Sequence, residues 1–293
     1  MPIDFSIIVP TFERREHVVR CLAALSGLRF DRNRWEAIFV DDGSAHPAVE
    51  EVESAAREIP VRMLAREHGG PAAARNAGAA EARGRYLVFT DDDCCPEPDW
   101  LDAFAQRFAA EGDCGIGGRS VNAVADNVYS EASQTLLDYL YSRFNSVPGE
   151  AQILISNNFA LPAETFRAAG GFDTRFVRAA GEDRDLCARL REAGVPLFYA
   201  PRAVVQHHHA LSLRRFWRQH FNYGSGAWQF HLSRAERAAG KVRVEPVEFY
   251  WSLVRFPARQ GRARATALTA LLVLSQIANA TGFYVARFRA VRR

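Results

Sequence analysis

The sequence predicts an α/β protein in which a mostly parallel β-sheet is covered by helices and a helical extension follows at the C-terminus. The first 110 residues alternate short apolar runs with amphipathic stretches, which is the pattern of a parallel sheet with helical connections. Two of the apolar runs end in consecutive acidic residues, and residues 255–293 are basic. With 293 residues, of which 48% are hydrophobic, the chain can bury a sizeable core.

Four strands and three helices are predicted in the first 110 residues. The strands correspond to FSIIVP, WEAIFV, VRMLA and YLVFT, and the helices to REHVVRCLAAL, AVEEVESAAREI and PAAARNAGAAEA. The first helix is predicted from apolar side chains at the i, i+3, i+4 and i+7 positions of one face, namely Val18, Cys21, Leu22 and Leu25. Pro71 lies where the first turn of the third helix tolerates proline.

The second half of the chain is predicted to complete the same sheet with mixed elements. CGIGGRSV, ILISNNFAL and PLFYAPRAVVQHHH have the composition of strands, and helices are expected near residues 129–144 and 182–193. From residue 211 onward, a segment rich in arginine and aromatic residues leads into the basic tail.

The basic tail contains a helix whose environment the sequence leaves open. Residues 255–293 hold eight arginines and no acidic residue, and residues 265–286 are uncharged over a length that can cross a bilayer. Ser275, Gln276 and Asn279 interrupt this apolar stretch, so a buried helix or one lying in the membrane interface is the alternative to a spanning helix.

Composition also limits the compartment and the partners. MPIDFSIIVP lacks a basic region and a long apolar run, so we expect no secretory signal and a cytoplasmic protein. The alternative is a peripheral position on the cytoplasmic face of the inner membrane, held by the basic tail. Five cysteines without a CxxC pair predict reduced thiols. A net charge of only +3 and an acidic main body argue against a nucleic-acid partner.

Acidic residues follow two predicted strands at the points where the strands end. Asp41 and Asp42 follow the second strand, and residues 91–93 follow the fourth. Because ligands bind beyond the carboxyl ends of parallel strands, both groups are predicted to open onto one crevice. Clustered carboxylates require a cation, and their oxygens suit a Mg²⁺ or Mn²⁺ ion that also holds phosphates. The alternative is a solvated turn in which Asp93 caps the next helix.

Six segments, taken in chain order, resemble the motifs of one enzyme family. SIIVPTFER, VDDGS, GGPAAARNAG, VFTDDDCCPEPDWL, NNFALPAETFRAAGGFD and GEDRDL lie within residues 5–225 and resemble the motifs of inverting, family 2 glycosyltransferases with the GT-A fold. The resemblance implies a Rossmann-like sheet, a GT-A catalytic domain over residues 1–225 and a helical, basic extension over residues 226–293 that can associate with a membrane.

The resemblance implies donor-binding roles for residues in the first three βα units. Asp41 or Asp42 pairs with the uracil edge, and the sequence does not choose between them. Arg75 is placed to reach the nucleotide base or phosphate, the alternative being an arginine on a helix surface. The floor under the nucleotide is formed by Pro10, Thr11 and Glu13.

The acidic triplet corresponds to the DXD element of this family. The resemblance implies that Asp93 holds Mn²⁺ or Mg²⁺ through the donor diphosphate, and that Asp91 faces the ribose or the donor sugar and takes part in the metal site. Asp92 is assigned to the donor-binding set. His207 is the expected additional metal ligand, and strand alternation places His207 and His209 on the same face.

GEDRDL corresponds to the motif that contains the general base, for which Asp183 is the candidate, and Glu182 beside it is also predicted to be a catalytic residue. Asp183 also begins an apolar helical stripe with Leu186, Cys187 and Leu190, so it is predicted on the inward side, with Glu182 and Asp185 pointing elsewhere. The alternative is that both first-turn acids only complement the helix dipole.

The implied reaction is direct displacement, in which Asp183 deprotonates an acceptor hydroxyl and the sugar leaves a nucleoside diphosphate, UDP being the expected nucleotide. dTDP and GDP donors stay open as alternatives. The acceptor also stays open between a lipid-linked sugar, a polysaccharide end, a peptide and a small molecule, and the basic tail favours an acceptor associated with a membrane. QxxRW is absent, which favours transfer of single sugars. The alternatives are an inactive GT-A-like scaffold at a membrane surface and another metal-dependent nucleotide-sugar enzyme.

Overall fold

The computed structural model describes residues 2–147, 150–178, 180–237 and 245–291. Its strands are β1 (Phe5–Thr11), β2 (Trp35–Asp41), β3 (Val61–Ala65), β4 (Tyr86–Thr90), β5 (Cys94–Pro96), β6 (Gly115–Asn122), β7 (Asn158–Pro162) and β8 (Leu197–His207). The α-helices are α1 (Arg15–Ser26), α2 (Val49–Ala55), α3 (Pro71–Ala80), α4 (Trp100–Glu111), α5 (Val128–Phe144), α6 (Ala163–Ala168), α7 (Glu182–Glu192), α8 (Leu213–Glu236), α9 (Val247–Arg259) and α10 (Ala265–Val291). A 3₁₀ helix covers Arg32–Arg34.

The eight strands form one sheet in the order β3-β2-β1-β4-β7-β6-β8-β5. β3, β2, β1 and β4 are parallel neighbours, and β6 and β8 are also parallel. β7 runs antiparallel to both β4 and β6, and β5 runs antiparallel to β8. The predicted α/β class is confirmed, and the sheet is mixed because its second half inserts β7 between the two parallel groups.

Two apolar clusters cover the two faces of the sheet. Every residue of β2 is buried, and β1 is buried except at Pro10, which is why both strands read as continuous apolar runs rather than alternating ones. Val18 and Cys21 of α1 pack in one cluster, whereas Ala72 and Ala74 of α3 pack in the other. The helices therefore lie on opposite faces, and the carboxyl ends of the strands stay open.

The second half departs from the predicted strands at ILISNNFAL. Only Asn158–Pro162 pairs as a strand, whereas residues 153–157 form an irregular segment. The Asn145 side chain bonds the backbone of Gln152 and Ile153, and the Asn158 N–H donates to Ile155 O, so this backbone is hydrogen-bonded without a partner strand. The three-residue strand β5, which directly follows the acidic triplet, was not predicted.

The C-terminal helices pack against α8 and α5. A Cβ on Gly224 would lie 1.8 Å from Asn279 O, and one on Gly282 would lie 1.9 Å from Phe221 O, so α8 and α10 cross closely only because both positions are glycine. α8 continues without a break through residue 225, where the catalytic domain was predicted to end.

α10 has one buried and one exposed face. Leu268, Leu272 and Ala278 are buried, whereas Ile277 and Tyr284 are exposed. Within the described residues it is the helix that is long and apolar enough to cross a membrane: an 18-residue window of Ala265–Ala290 has a mean hydropathy of 1.4, and 28% of that window is buried. Length and composition alone do not distinguish a spanning helix from a packed one.

Candidate active site

The candidate active site lies at the carboxyl ends of β1, β2 and β4. Thr11 of β1 and Asp41 of β2 are paired at the last position of their register, and β4 ends one residue before the acidic triplet. The first turn of α7 joins them, because Arg75 of α3 contacts both Asp91 and Glu182. Residues that lie far apart in the sequence thus form one acidic cluster around a buried arginine.

The first two carboxylates of the triplet point to different partners. Arg75 Nη2 donates to Asp91 Oδ1 at 2.6 Å. Asp92 is buried and turns toward β1, where it accepts hydrogen bonds from Thr11 Oγ1 at 2.8 Å and from Arg14 Nη1 at 3.0 Å. Burial raises the pKa of Asp92, and Arg14 opposes that effect. Thr11 therefore contacts the triplet directly, through Asp92.

Asp93 has one arginine and two histidines around its carboxylate. Arg14 Nη1 lies 3.0 Å from Asp93 Oδ2, His207 Nε2 lies 3.3 Å from Oδ1 and His209 Nδ1 lies 3.5 Å from Oδ2. Burial alone would raise the pKa of Asp93, but the hydrogen bonds from His207 and His209 outweigh it and hold that pKa well below its usual range. Asp93 is therefore an anion throughout the physiological pH range.

Two groups of potential metal ligands meet at Asp93. Its carboxylate lies within 4.8 Å of His207 and Cys94 ligand atoms in one group, and of His17 and Asp92 ligand atoms in the other. Carboxylate oxygens with one imidazole nitrogen fit Mn²⁺ or Mg²⁺. Asp91, which was also predicted as a metal ligand, belongs to neither group and bonds Arg75 instead.

His207 and His209 lie on one face, as strand alternation predicts. Their rings stack with centroids 5.0 Å apart, and both approach Asp93. The strand β8 that ends in His207 pairs with β5, and Cys94 is the register partner of His207. This pairing fixes the histidines beside the triplet.

Arg75 is a buried cation that joins the two acidic motifs. Its side chain is 2% exposed, so the alternative of a surface helix arginine is wrong. Arg75 Nη1 donates to Glu182 Oε1 at 3.0 Å, and the Ala180 N–H donates to Glu182 Oε2 at 2.8 Å. Burial and the neighbouring Asp183 raise the pKa of Glu182, whereas Arg75 lowers it.

The orientation predicted for the acids around Asp183 is partly wrong. Asp185 does point elsewhere, because it is buried between Arg189 and Arg237. Glu182 is buried in the same acidic cluster as Asp183, because its pairing with the arginine of α3 outweighs the helical periodicity on which the prediction was based.

Asp183 has backbone partners in place of cationic side chains. Its Oδ1 accepts from the Arg184 N–H at 2.7 Å, and its Oδ2 accepts from the Ser156 N–H at 3.4 Å. Within the described ranges, no ion pair joins it to an arginine, lysine or histidine. Burial raises the pKa of Asp183, against the opposing effects of the two backbone N–H groups and of the charge on Arg75, which does not bond it directly. A carboxylate of this kind is suited to accept a proton.

The structure distinguishes Asp41 from Asp42, which the sequence left as alternatives. Asp42 is saturated by the β3–α3 loop, where its carboxylate bonds Arg66, His68, Gly69 and Gly70. Asp41 Oδ2 accepts from the Gly43 and Ser44 N–H groups at 3.2 and 3.0 Å. Asp41 Oδ1 is buried and has no partner within the described residues, so it is the carboxylate oxygen of this pair whose capacity to accept a hydrogen bond is unused.

Glu13 and Pro10 lie on the β1 side of the crevice. Glu13 has a left-handed φ of 54° and is exposed, and its Oε1 accepts from the Ala45 N–H at 2.6 Å. Its own N–H donates to Ser44 Oγ at 2.8 Å, which ties the β1–α1 loop to the VDDGS turn. Pro10 is half-buried opposite Val40 in the sheet. The predicted floor residues thus lie at the end of β1, in the case of Pro10 and the buried Thr11, and in the loop that follows it, in the case of Glu13.

Sequence reasoning missed Arg14, which bonds two members of the triplet. It follows Glu13 in SIIVPTFER, where two consecutive arginines read as the exposed start of α1. The available signal was electrostatic: three adjacent carboxylates require a nearby cation, and the first βα loop supplies one.

α8 covers the side of the site next to the histidines. Gln219 Oε1 lies 2.8 Å from His209 Nε2, and Gln219 Nε2 donates to the hydroxyl of Tyr223 at 2.9 Å. A Cβ on Gly226 would lie 1.9 Å from Ala180 O, so α8 packs directly on the loop that leads to α7. The acidic cluster therefore has the sheet on one side and α8 on the other.

The sequence and the fold both have known relatives. Residues 6–169, more than half of the chain, match the family described as Glycosyl transferase family 2. A pre-mycofactocin glycosyltransferase of Mycobacterium tuberculosis is 30% identical over 289 residues, which cover 94% of this chain and 58% of that protein. The chain thus spans little more than half the length of this relative.

Two solved structures share the fold. A mannosyltransferase of Pyrobaculum calidifontis in complex with GDP-Man and Mn²⁺ superposes with a TM-score of 0.64 at 17% identity, covering 95% of this chain and 89% of that one. TarS of Staphylococcus aureus, residues 1–349, in complex with UDP-GlcNAc superposes with a TM-score of 0.57 at 16% identity, covering 99% and 92%. At these identities the likeness defines the fold, which is GT-A.

Proposed function

Because the chain belongs to glycosyl transferase family 2, we propose that it is a metal-dependent, inverting glycosyltransferase. It moves a sugar from a nucleoside diphosphate to an acceptor hydroxyl by direct displacement. The observation that carries this proposal is the opposite tuning of two carboxylates in one crevice, the buried Asp93 and the half-buried Asp183. Asp93 is held as an anion by cationic neighbours, whereas Asp183 has a raised pKa and no cationic partner among the described residues.

The donor is proposed to bind between β1, β2 and β4. Asp93 and His207 are the residues that would hold Mn²⁺ or Mg²⁺, and when bound the ion neutralises the diphosphate leaving group. Asp91 is proposed to face the ribose or the donor sugar, while Arg75 fixes its carboxylate. The two fold neighbours described above carry GDP-Man and UDP-GlcNAc, so a nucleoside diphosphate sugar is the donor class that we propose.

A uridine nucleotide is the proposed donor base because of Asp41. The N3–H of uracil is a hydrogen-bond donor, and Asp41 Oδ1 is a buried acceptor without a partner in the described part of the chain. Pro10 and Thr11 at the end of β1 and Glu13 in the next loop are proposed to form the floor under the nucleotide, whereas Asp42 holds the β3–α3 loop. Of Asp41 and Asp42, which the sequence leaves as alternatives, we thus propose Asp41 as the residue that bonds the base, through Oδ1.

In the proposed mechanism Asp183 removes the proton from the acceptor hydroxyl as its oxygen attacks the anomeric carbon. Attack opposite the nucleotide inverts the configuration, and no covalent enzyme intermediate is required. The Arg184 and Ser156 N–H groups orient the Asp183 carboxylate for this transfer. Glu182 keeps Arg75 in place and acts through it, and we propose a positioning role for Glu182 rather than proton transfer.

The C-terminal extension is proposed to lie at a membrane surface, on the cytoplasmic face. Its residues 255–293 contain eight arginines and no acid, which complements anionic headgroups. Trp251 is 59% exposed beneath Arg255, whose guanidinium lies 5.1 Å from the ring, and Phe288 is 66% exposed at the other end of the extension. Aromatic and arginine side chains together are typical of membrane interfaces. The proposed C-terminal extension comprises residues 226–293.

The experiment that tests the transferase proposal combines transfer with product stereochemistry. The protein is incubated with Mn²⁺ or Mg²⁺, a panel of UDP- and GDP-sugars and sugar acceptors, and the anomeric configuration of any product is assigned by NMR. We expect release of the nucleoside diphosphate, an inverted product and loss of both with EDTA. Retention of configuration, or turnover that survives EDTA, would contradict the proposal. Nucleotide binding without any transfer or donor hydrolysis would favour the inactive scaffold.

Membrane association is tested separately with vesicles. We expect the protein to sediment with anionic phosphatidylglycerol vesicles, and to do so less in high salt because the attraction is electrostatic. Trp251→Ala should weaken binding, whereas Val177→Ala, which truncates an exposed side chain outside the extension, serves as the control. Equal sedimentation with neutral vesicles, or no sedimentation at all, would contradict the surface assignment.

A further inference from the structure

We propose that Arg14 binds the diphosphate of the donor nucleotide through the guanidinium N–H groups that it does not use on the acidic triplet. This inference rests on the transferase function proposed above and deepens it, because it adds a diphosphate ligand from the β1–α1 loop to the proposed metal ligands Asp93 and His207. Three features of Arg14 support it: its contacts with the triplet, the exposure of its side chain and the loop that carries it.

Arg14 contacts the triplet through a single guanidinium nitrogen. Arg14 Nη1 donates to Asp92 Oδ1 and to Asp93 Oδ2, at 3.0 Å in both cases. Its Nε and Nη2 atoms donate to no residue in the part of the chain that the structure describes. Because arginine carries its N–H donors in a planar fork, the donors on Nε and Nη2 stay available for another anion at the same place.

The exposure of Arg14 gives a ligand access to these donors. Its side chain is 46% exposed, whereas those of Asp92 and Asp93 are 4% and 6% exposed. Arg14 therefore reaches from the surface of the crevice onto two buried carboxylates. Arg75 differs in this respect, because its side chain is 2% exposed, both its terminal nitrogens are bonded to acids, and its Nε is buried.

The loop that carries Arg14 joins the two ends of the proposed donor site. Glu13, the preceding residue, has a left-handed φ of 54°, a conformation that residues other than glycine rarely adopt. Its N–H donates to Ser44 Oγ and its Oε1 accepts from the Ala45 N–H, in the loop after β2. Arg14 itself contacts Asp93 beyond the end of β4. With the base assigned to the β2 side and the metal to the β4 side, Arg14 lies at the diphosphate end of the nucleotide.

A cation at this place matches the charge of the donor leaving group. A nucleoside diphosphate carries more negative charge than one divalent ion neutralises, and Asp93 is a further anion beside it. Guanidinium groups bind phosphate oxygens with charge-assisted hydrogen bonds, often two at a time. Arg14 can keep Nη1 on the triplet and donate from Nε and Nη2 to the diphosphate. One side chain would thus screen the carboxylates and bind the phosphates.

A diphosphate ligand and a residue that only orients Asp93 respond differently to truncation. If Arg14 binds the diphosphate, its removal weakens the binding of UDP. Affinity for Mn²⁺ without nucleotide should then not fall, because a positive charge beside the metal ligands is removed. If Arg14 only orients the Asp93 carboxylate, its removal should weaken the binding of Mn²⁺ itself.

The test measures affinity by calorimetry with probes that differ in phosphate number. Uridine, UMP and UDP are titrated in the presence of Mn²⁺, and Mn²⁺ is titrated without nucleotide, into the full chain. The variants are Arg14→Ala, the charge-preserving Arg14→Lys, and Arg15→Ala as matched control. Arg15 is the next residue and is 53% exposed, but it pairs with Glu50 and Glu51 rather than with the triplet.

Arg14→Ala is expected to weaken UDP binding by at least about tenfold, UMP binding by less, and uridine binding by no more than about twofold. Its affinity for Mn²⁺ without nucleotide should be unchanged or higher. Arg14→Lys should keep part of the UDP affinity, because lysine retains the charge but not the fork. Arg15→Ala should stay within about twofold of wild type for every probe.

UDP affinity that is as high in Arg14→Ala as in Arg15→Ala would overturn the proposal. A loss of equal size for all three nucleoside probes, or a parallel loss of Mn²⁺ affinity, would overturn it as well and leave Arg14 a residue that orients the triplet. If Arg14→Ala does not fold, Arg14→Lys decides by the same order of losses, largest for UDP and smallest for uridine. A failure of the transferase proposal looks different, because the wild-type protein would then show no metal-dependent binding of UDP, which would remove both proposals.

Discussion

The acidic triplet after β4 and the acidic pair at the start of α7 meet in one crevice, yet they are built differently. Asp93 has an arginine and two histidines within 3.5 Å, and its pKa is held well below the ordinary value. Asp183 is half-buried and bonds only backbone N–H groups among the described residues, and its pKa is raised. Cationic neighbours therefore decide whether a carboxylate in this crevice is a permanent anion or a proton acceptor.

Arg75 bonds one carboxylate in each of the two acidic motifs, yet the electrostatic properties of the motifs differ. It neutralises Asp91 on the strand side and Glu182 on the helix side, and it leaves Asp183 without a direct partner. One guanidinium thus serves two carboxylates, and the third keeps the basicity that a general base needs. Substitutions in the two motifs should therefore affect turnover, UDP binding and stability differently.

The largest effect is expected from Asp183→Asn. The amide keeps the shape of the side chain but does not accept a proton, so turnover should fall by about 10² to 10⁴. UDP binding with Mn²⁺ should change little, because the donor is assigned to the other motif. Steady-state kinetics and calorimetry on the same preparation check both statements, and unchanged turnover would remove Asp183 as the base.

Arg75→Ala should destabilise the fold because it leaves Glu182 buried without its cation. Breaking a buried ion pair in this way costs about 3–5 kcal/mol, to be measured as the free energy of unfolding in urea. Arg85→Ala is the control, since Arg85 is 67% exposed and its 3.5 Å pair with Asp113 lies on the surface. A loss in Arg75→Ala no larger than in the control would contradict the buried role.

Asp41→Asn and Asp42→Asn extend the comparison to a second pair of neighbouring acids. In Asp41→Asn the open acceptor becomes an amide donor, so UDP affinity should fall by about tenfold with little change in stability. In Asp42→Asn an amide faces the Gly69 and Gly70 N–H groups, so stability should fall by about 1–3 kcal/mol and UDP affinity should change less. The reverse pattern would transfer the base-binding role to Asp42.

The smallest effect concerns the pH dependence of turnover. Asp183 must be ionised to accept a proton, so kcat should fall as the pH is lowered. Because burial raises the pKa of Asp183, the midpoint of that fall should lie above the ordinary value of 3.8. Glu182→Gln removes a neighbouring negative charge and should move the midpoint to lower pH. Since the two acids titrate as a pair, the midpoint is an apparent value; a midpoint unmoved by Glu182→Gln would disprove the coupling.

Much of the sheet was predictable because its signals are local. Apolar runs of four to seven residues define β1, β2, β3 and β4, and the acids at their ends mark the crevice. The position of Asp183 at a helix start also followed from local periodicity. Part of ILISNNFAL was wrongly predicted as a strand. The Asn145 side chain hydrogen-bonds the backbone of this segment, and composition alone does not reveal such a bond.

The partners within the site were not predictable, because they depend on tertiary contacts. Arg75 and Glu182 are 107 residues apart in the sequence, and Arg14 lies 79 residues from Asp93. The different partners of Asp41 and Asp42 likewise depend on the β3–α3 loop, whose Gly69 and Gly70 N–H groups bond the Asp42 carboxylate. Helical periodicity placed Glu182 away from the cluster, and the ion pair with Arg75 reverses that orientation.

The central claim is that Asp93 holds the metal–nucleotide pair and Asp183 does not. Calorimetric titration of UDP, with and without Mn²⁺, into wild type, Asp93→Ala and Asp183→Asn tests it most directly. The account predicts metal-dependent binding in wild type and Asp183→Asn and its loss in Asp93→Ala. Metal-dependent binding that survives in Asp93→Ala, or that disappears in Asp183→Asn, would contradict the division of roles between the two carboxylates.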